Sequence, residues 1–166
     1  MKVTVAIPGR QLTQVDRATI NEGNKAQRHY ESAAIRSGDQ RIIDTYMQTK
    51  VEYMRQPSSD AQSLLDAKGE TADGIRAYRE PNAQQITLLP SFGEFGDSSM
   101  SFPPYHGMEL GAGGDATVFK VMAHEHGHVL DPLGGQPHDR ERAASDHSNW
   151  MQQHAPPRLK RQLRDQ

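Results

Sequence analysis

The chain has 166 residues, a length typical of one folded domain, and it contains no cysteine, so disulfides and thiolate metal sites are excluded. Hydrophobic residues make up 34% of it and aromatic residues 6%, which predicts a small core beneath large polar surfaces. The formal net charge of −2 does not favour nucleic acid or an anionic membrane as a partner. No apolar run approaches the ~18 residues of a membrane span, and the N-terminus lacks the pattern of a signal peptide.

The N-terminal part of the chain, residues 1–80, is predicted to be mainly helical. Residues 2–7 alternate in the manner of a short strand. A weak apolar stripe then predicts a helix over about 24–36, and a clearer stripe predicts a helix over about 40–56. We expect these two helices to form a hairpin that covers a sheet, although the same stripes would also suit a face that binds a partner.

The middle of the chain is polar and rich in glycine, serine and proline, so its predicted elements are short. They are a helix capped within 57–60 that ends near 67, a strand over 85–89, and two strand candidates at 99–102 and 108–110. Residues 68–82 are expected to form an irregular segment. One of the two strand candidates should be an unpaired sheet edge, to which the backbone of an extended peptide can add.

The most informative stretch is the His-Glu-x-x-His motif formed by His124, Glu125 and His128. On a helix the two histidines lie about 40° apart, so both imidazoles can reach one metal ion. Glu125 lies about 100° to one side, where it can act on water without being a ligand. A helix over 115–130 is predicted, and its apolar back should be formed by Val118, Phe119, Met122, Ala123, Val129 and Leu130. A histidine-rich solvated helix face is the alternative interpretation.

A third zinc ligand is required, because catalytic zinc usually has three protein ligands and a water molecule. The extended motif that ends in a further His or Asp is absent, since Asp131 and Gly134 stand where a Gly and a ligand would be needed. A second helix over about 138–153 is predicted to fold back against the first, and Glu141 near its start is the favoured ligand. The alternative ligands are Asp139, Asp146, His138 and His147.

Other residues around the motif have less specific expectations. Asp131 either fixes the orientation of a ligand imidazole or simply ends the helix. His126 points about 200° away from His124, so it is predicted to be a buried structural histidine beside Gly127, which should allow a neighbouring element to approach closely. The basic residues 158–164 are expected to be a solvated end rather than a nucleic-acid site. The candidate donors to an oxyanion are Tyr105, His106, His147 and His154.

Two segments resemble a known class of enzymes. His-Glu-His-Gly-His-Val-Leu-Asp at 124–131, followed by Arg-Glu-Arg-Ala-Ala-Ser-Asp-His-Ser-Asn-Trp at 140–150, resembles the short zinc metallopeptidases found as type III effectors and as C-terminal domains of bacterial polymorphic toxins. The catalytic domain of anthrax lethal factor has a similar first motif, which points to a gluzincin-like site. The resemblance covers about 115–157, with Arg140 at a position where the family has Glu and 151–153 in place of an arginine-containing region.

The resemblance implies an α+β, zincin-like fold: a small mixed sheet with an active-site helix and a C-terminal ligand helix. The N-terminal helical hairpin is expected from the apolar stripes of residues 24–56 and not from the resemblance. We expect a single domain over 1–166, with a mainly helical accessory part at 1–80 and a catalytic core at 85–157. It also implies an effector or toxin secreted by a dedicated system; a protein that is not an effector would be cytoplasmic.

The function expected from these observations is zinc-dependent endopeptidase activity on a protein or peptide substrate. His124, His128 and Glu141 would hold Zn²⁺, and Glu125 would take a proton from water and give it to the leaving amine. Two alternatives are a catalytically inactive zinc-binding or interaction protein and a peptidoglycan amide hydrolase.

Overall fold

The computed structural model describes residues 2–7, 11–81, 83–96, 114–130 and 137–164, with side chains at all of these except 94–96 and 137–138. The helices are α1 (Gln14–Ser37), α2 (Gln40–Gln48), α3 (Ser59–Lys68), α4 (Pro90–Gly96), α5 (Asp115–Leu130), α6 (Pro137–Gln152) and α7 (Pro157–Arg164). The strands are β1 (Thr4–Val5), β2 (Lys50–Tyr53), β3 (Ala77–Arg79) and β4 (Gln85–Leu88). The expected α+β class with a small mixed sheet is confirmed. Both strand candidates, 99–102 and 108–110, lie outside the described residues.

The four strands form one sheet in the order β1-β2-β4-β3. Strands β1, β2 and β4 are parallel, whereas β3 pairs antiparallel with β4 and lies at the edge. In the register, Val51 lies beside Ile86, and Ala77 lies beside Leu88. The sheet therefore draws strands from both the expected accessory part and the expected catalytic core.

The predicted helix over 40–56 is wrong in its second half. Helix α2 ends at Gln48, and the following residues form β2, in which Val51 and Tyr53 are buried. The helical spacing was misleading because Val51 also follows Met47 by four residues and precedes Met54 by three. The two β-branched or aromatic residues of β2 find partners in β4, and this pairing decides between the two conformations.

Helix α1 is longer than predicted and begins at Gln14 rather than near 24. Thr13 and Asp16 form a reciprocal capping box, which satisfies backbone N–H groups at its start. The helix ends at Gly38, which adopts a positive φ of 69°. The expected hairpin of α1 and α2 is present, and α1 lies directly on the sheet, because a Cβ at Gly23 would stand 2.6 Å from Leu88 Cδ1.

Three elements were not predicted. Strand β3 lies in the segment expected to be irregular, and α4 follows β4 directly. The basic tail is helix α7, which places Leu159 in the core at 3% exposure and keeps its cationic side chains outside. The expectation of a purely solvated end is therefore wrong for the apolar side of α7.

The core lies between the sheet and helices α1 and α5. Its largest buried side chains include Tyr30, Tyr53, Ile86, Leu88, Phe119 and Met122. Among the described helices, none has the length and apolar character needed to cross a membrane.

Asp16 is a buried carboxylate whose substitution by Asn should destabilise the protein at neutral pH. It is 2% exposed and accepts hydrogen bonds from Arg55 Nη2 at 2.6 Å, the Tyr53 hydroxyl at 2.6 Å and Thr13 N–H at 2.7 Å. Arg55 chiefly holds the pKa of Asp16 well below its ordinary value, although burial opposes it. We expect Asp16→Asn to lower the free energy of unfolding by about 2–3 kcal/mol at pH 7.

The pH dependence follows from the direction of this pKa shift. The carboxylate stabilises the fold fully above the ordinary pKa of an unfolded Asp, about 4, and this contribution is lost as the pH falls through the lower pKa of the folded state. Urea unfolding at pH 7 and pH 3 should therefore show a difference between wild type and Asp16→Asn that shrinks at pH 3. An equal difference at both values would contradict this interpretation.

Candidate metal centre

Helix α5 presents two different faces, as its sequence predicts. Val118, Phe119, Met122 and Ala123 are fully buried on its back, whereas His124 and His128 are partly exposed on its front. The helix begins at Asp115, where Lys25 Nζ of α1 lies 3.0 Å from the Asp115 carboxylate. An acidic residue in the first turn also suits the positive end of the helix dipole. Helix α5 thus holds the motif at the boundary between the core and the surface.

Helix α6 runs back along α5 and touches it at Gly127. A Cβ at this position would stand 2.9 Å from Ala144 Cα and 3.1 Å from His147 Cβ, so only glycine allows the two backbones to approach this closely. Ser148 Oγ donates to the Lys120 carbonyl at 3.1 Å on the same interface. The predicted close approach at Gly127 and the folding back of the second helix are confirmed.

Three of the predicted site residues converge at one point. His124 Nε2 lies 3.0 Å from Glu141 Oε2, His128 Nε2 lies 3.0 Å from Glu141 Oε1, and the two Nε2 atoms are 3.1 Å apart. Tetrahedral zinc with ligands at about 2.0–2.1 Å would place its donor atoms about 3.3 Å apart. Two imidazole nitrogens and a carboxylate at these separations therefore fit one zinc ion.

The surroundings of His128 and the neighbour of His124 bear on how these two rings could bind a metal. Burial lowers the pKa of His128 below its ordinary value, with Glu141 opposing, so the neutral imidazole that a metal needs is available at neutral pH. Ser145 Oγ lies 3.4 Å from His124 Nδ1, where it can accept the ring N–H and leave Nε2 for the ion. Glu141 is largely exposed, with 63% of its side chain accessible, so the cluster opens to solvent.

Glu125 is buried beside the cluster, at 8% exposure. Burial, followed by the negative charge of Glu141, raises the pKa of Glu125 to about 8, whereas Arg76 and the backbone N–H of Arg79 act in the opposite direction. The Arg79 N–H can reach Glu125 because no strand among the described residues pairs with the outer side of β3. The backbone groups of Arg76 and Glu80, at the two ends of β3, bond to Leu89 and Gln85 on the side of β4. Because bonding alternates from residue to residue along an antiparallel strand, the N–H of Arg79 points away from β4.

The other candidates from the sequence are not part of this cluster. The ring of His147 points toward α1, where its Nε2 lies 2.8 Å from the Tyr30 hydroxyl. Burial lowers the pKa of His147 to about 4. His154 contacts Trp150 in a tilted arrangement with ring centroids 4.4 Å apart, at the far end of α6. Asp139 and Asp146 are exposed and lie outside the group of converging donor atoms. Tyr105, His106 and Asp131 lie outside the described residues, as does the side chain of His138.

His126 is the buried structural histidine that the sequence predicts. It is 1% exposed, stacks on Tyr30 with ring centroids 4.1 Å apart, and has its Nε2 2.8 Å from Gln27 Oε1. Because an amide oxygen only accepts, Nε2 carries the proton. Burial lowers the pKa of His126 to about 3, so the ring stays neutral at physiological pH.

The sequence did not indicate three residues that act on the side chains of the site, namely Ser145, Arg76 and Arg79. Ser145 follows Glu141 by four residues, so a helix that presents Glu141 to α5 presents Ser145 on the same side, and this spacing could have identified it. Arg76 and Arg79 gave no such signal, because β3 is only three residues long.

Gly127→Ala should weaken both the fold and the metal site. In a free helix interior, Ala is more stable than Gly by about 1 kcal/mol. Here the added methyl meets the backbone of Ala144, so we expect a net loss of about 1–3 kcal/mol in the free energy of unfolding. A displaced α6 moves Glu141 as well, and zinc affinity should fall about tenfold. Urea unfolding and zinc titration check these values; a stabilised variant with unchanged affinity would contradict the close packing.

Comparisons with known proteins leave the resemblance of residues 115–157 to zinc metallopeptidases as an expectation. No protein-family model, curated protein or solved structure matches this chain significantly. Only the geometry of His124, His128 and Glu141, with Glu125 beside them, therefore bears on what this site does.

Proposed function

We propose that this protein is a zinc-dependent endopeptidase. The observation that carries the proposal is the convergence of His124, His128 and Glu141 within hydrogen-bond distance of one another, beside the buried carboxylate of Glu125. Two neutral nitrogen donors and one carboxylate are a ligand set that catalytic zinc uses with an open fourth position. The exposure of Glu141 leaves room for a substrate to reach this position.

Bound zinc would supply Lewis acidity toward the scissile carbonyl and toward water. Glu125 would take a proton from the attacking water and transfer it to the leaving nitrogen. Burial raises the pKa of Glu125, which favours proton uptake by this group, and the positive charge of a bound zinc ion would favour its ionised form before water attacks. The N–H of Arg79 orients the carboxylate, and Ser145 orients the ring of His124.

Strand β3 supports a peptide as the substrate class. It is the edge strand nearest to α5, and within the described part of the chain no strand pairs with its outer side. The alternation of hydrogen bonds directs the backbone groups of Ala77 outward. An extended peptide could add to this edge and run past His124 and His128. We propose β3 for this role, which the sequence had suggested for residues 99–102 or 108–110.

The proposal includes the biological setting that the resemblance implies, an effector or toxin delivered by a dedicated secretion system to act on a protein of another cell. An inactive zinc-binding protein and a peptidoglycan amide hydrolase are the alternatives against which the activity must be tested.

Cleavage-site profiling of a cell lysate tests the activity directly. New N-termini should appear with the zinc-loaded protein, disappear after chelation, and return when zinc is added back. His124→Ala should produce none of them, and Asp146→Asn, an exposed acidic position on α6, should retain them. Zinc binding without any new N-terminus would favour an inactive zinc-binding protein. Release of amide-linked peptides from purified peptidoglycan would favour a peptidoglycan amide hydrolase.

A further inference from the structure

A second concave surface lies away from the metal centre, between the ends of three helices. It has a volume of about 710 Å³ and is lined by Arg36, Gln153, His154, Ala155, Pro157, Lys160, Arg161 and Arg164. None of these residues belongs to the metal centre, and the end of α6 is about 17 Å from Glu141 along the helix axis. We refer to this surface as the basic cavity.

The charge of the basic cavity is unusual for this chain. Arg36, Lys160, Arg161 and Arg164 are all exposed cations, and within the described residues none of them forms an ion pair. The whole chain has a formal net charge of −2, so the remainder of the molecule is net negative. Positive charge is therefore concentrated at one concave place, where it raises the local concentration of anions.

The fold of α7 creates this concentration. Leu159 is buried against the core and Leu163 packs on it, which turns Lys160, Arg161 and Arg164 outward. Arg36 reaches the cavity from the last turn of α1. His154 adds an imidazole that lies tilted against the ring of Trp150, which is 38% exposed at this end of α6. Four like charges brought together in this way repel one another unless an anion binds between them.

We propose that the basic cavity binds a small anion that carries several phosphate groups. Arginine predominates among its cations, and the guanidinium fork matches two phosphate oxygens at once. The volume lies within the range of about 300–1,000 Å³ that small-ligand sites occupy. A nucleic acid is the less suited ligand. Its phosphates require a basic stripe along the surface, whereas the cations here form one compact group on an otherwise acidic chain.

Calorimetric titration of the full chain with inorganic tripolyphosphate, at about 0.15 M salt, tests the proposal. We expect saturable binding with one ligand per chain, and a higher melting temperature in its presence, because the ligand joins α1, α6 and α7. The double variant Arg161→Gln, Arg164→Gln should bind about 100-fold more weakly, on the order of tenfold for each arginine. The charge-matched control Arg28→Gln, Lys68→Gln changes two exposed cations outside the cavity and should bind like wild type.

Three outcomes would overturn the proposal: no binding of tripolyphosphate by the wild type, equal binding by the Arg161/Arg164 variant, or tighter binding of a short DNA duplex through the same arginines. The source of the phosphates is a separate question. Co-sedimentation with vesicles that contain a bisphosphorylated inositol lipid answers it. Binding that tripolyphosphate displaces supports a lipid headgroup as the ligand, and binding of tripolyphosphate alone supports a free one.

Discussion

Glu125→Gln is expected to retain one zinc ion per chain and to lose peptide hydrolysis. Gln has the shape of Glu but cannot accept the proton of the attacking water, and positioned acid–base groups of this kind contribute about 10²–10⁴ in rate. Zinc should remain bound because Glu125 is not one of the three converging donors. The measurement is turnover of a substrate identified by cleavage profiling, together with zinc content after dialysis.

The comparison that makes this result specific is His124→Ala, which should lose both zinc and activity. Glu125→Gln protein that cleaved the substrate at the wild-type rate would exclude Glu125 as the catalytic base. A variant that lost zinc would instead show that Glu125 acts on metal binding. Loss of zinc is a specific alternative to measure, because Glu125 is buried beside Glu141.

Glu141→Gln is expected to lower zinc affinity by about 100-fold or more. The substitution removes the only negative charge among the three donors and replaces a carboxylate, whose two oxygens lie 3.0 Å from the two histidines, by a neutral amide. Loss of groups that merely orient zinc ligands already costs about 10–100-fold in affinity, so loss of a ligand should cost more. Competition with a chromophoric chelator measures the affinity.

The matched controls lie on the same helix. Asp139→Asn and Asp146→Asn remove exposed carboxylates of α6 that the sequence offered as alternative ligands, and both variants should bind zinc like wild type. Since Glu141 is exposed, its substitution should leave the melting temperature of the zinc-free protein nearly unchanged. Full zinc occupancy in Glu141→Gln would assign the third ligand elsewhere.

The local parts of the candidate site could be predicted from the sequence because they depend on one helix. The relation of His124 to His128, the apolar back of α5 and the burial of His126 all follow from helical periodicity. Glu141 required one further inference, that α6 folds back on α5. The proline and glycine residues between Pro132 and Pro137 in the sequence made this inference reasonable, and Gly127 separately indicated the close approach of a neighbouring element.

The sheet could not be predicted equally well because its strands are short and its pairing is non-local. Val51 and Tyr53 fit a helical stripe when read alone, and only β4, more than thirty residues later, makes them a strand. Strand β3 gives no periodic signal over three residues, although its Arg79 N–H reaches Glu125. Residues that act through the backbone, such as Arg79, leave little trace in side-chain patterns.

The contact between α5 and α6 at Gly127 makes metal binding and helix docking a single equilibrium. Two donors belong to α5 and the third to α6, so the site is complete only while the helices are docked. By mass action, zinc at about 1,000 times its dissociation constant would stabilise the docked state by about 4 kcal/mol. Under the proposed function, the stability of this part of the molecule would therefore depend on the zinc concentration around the protein as well as on the sequence.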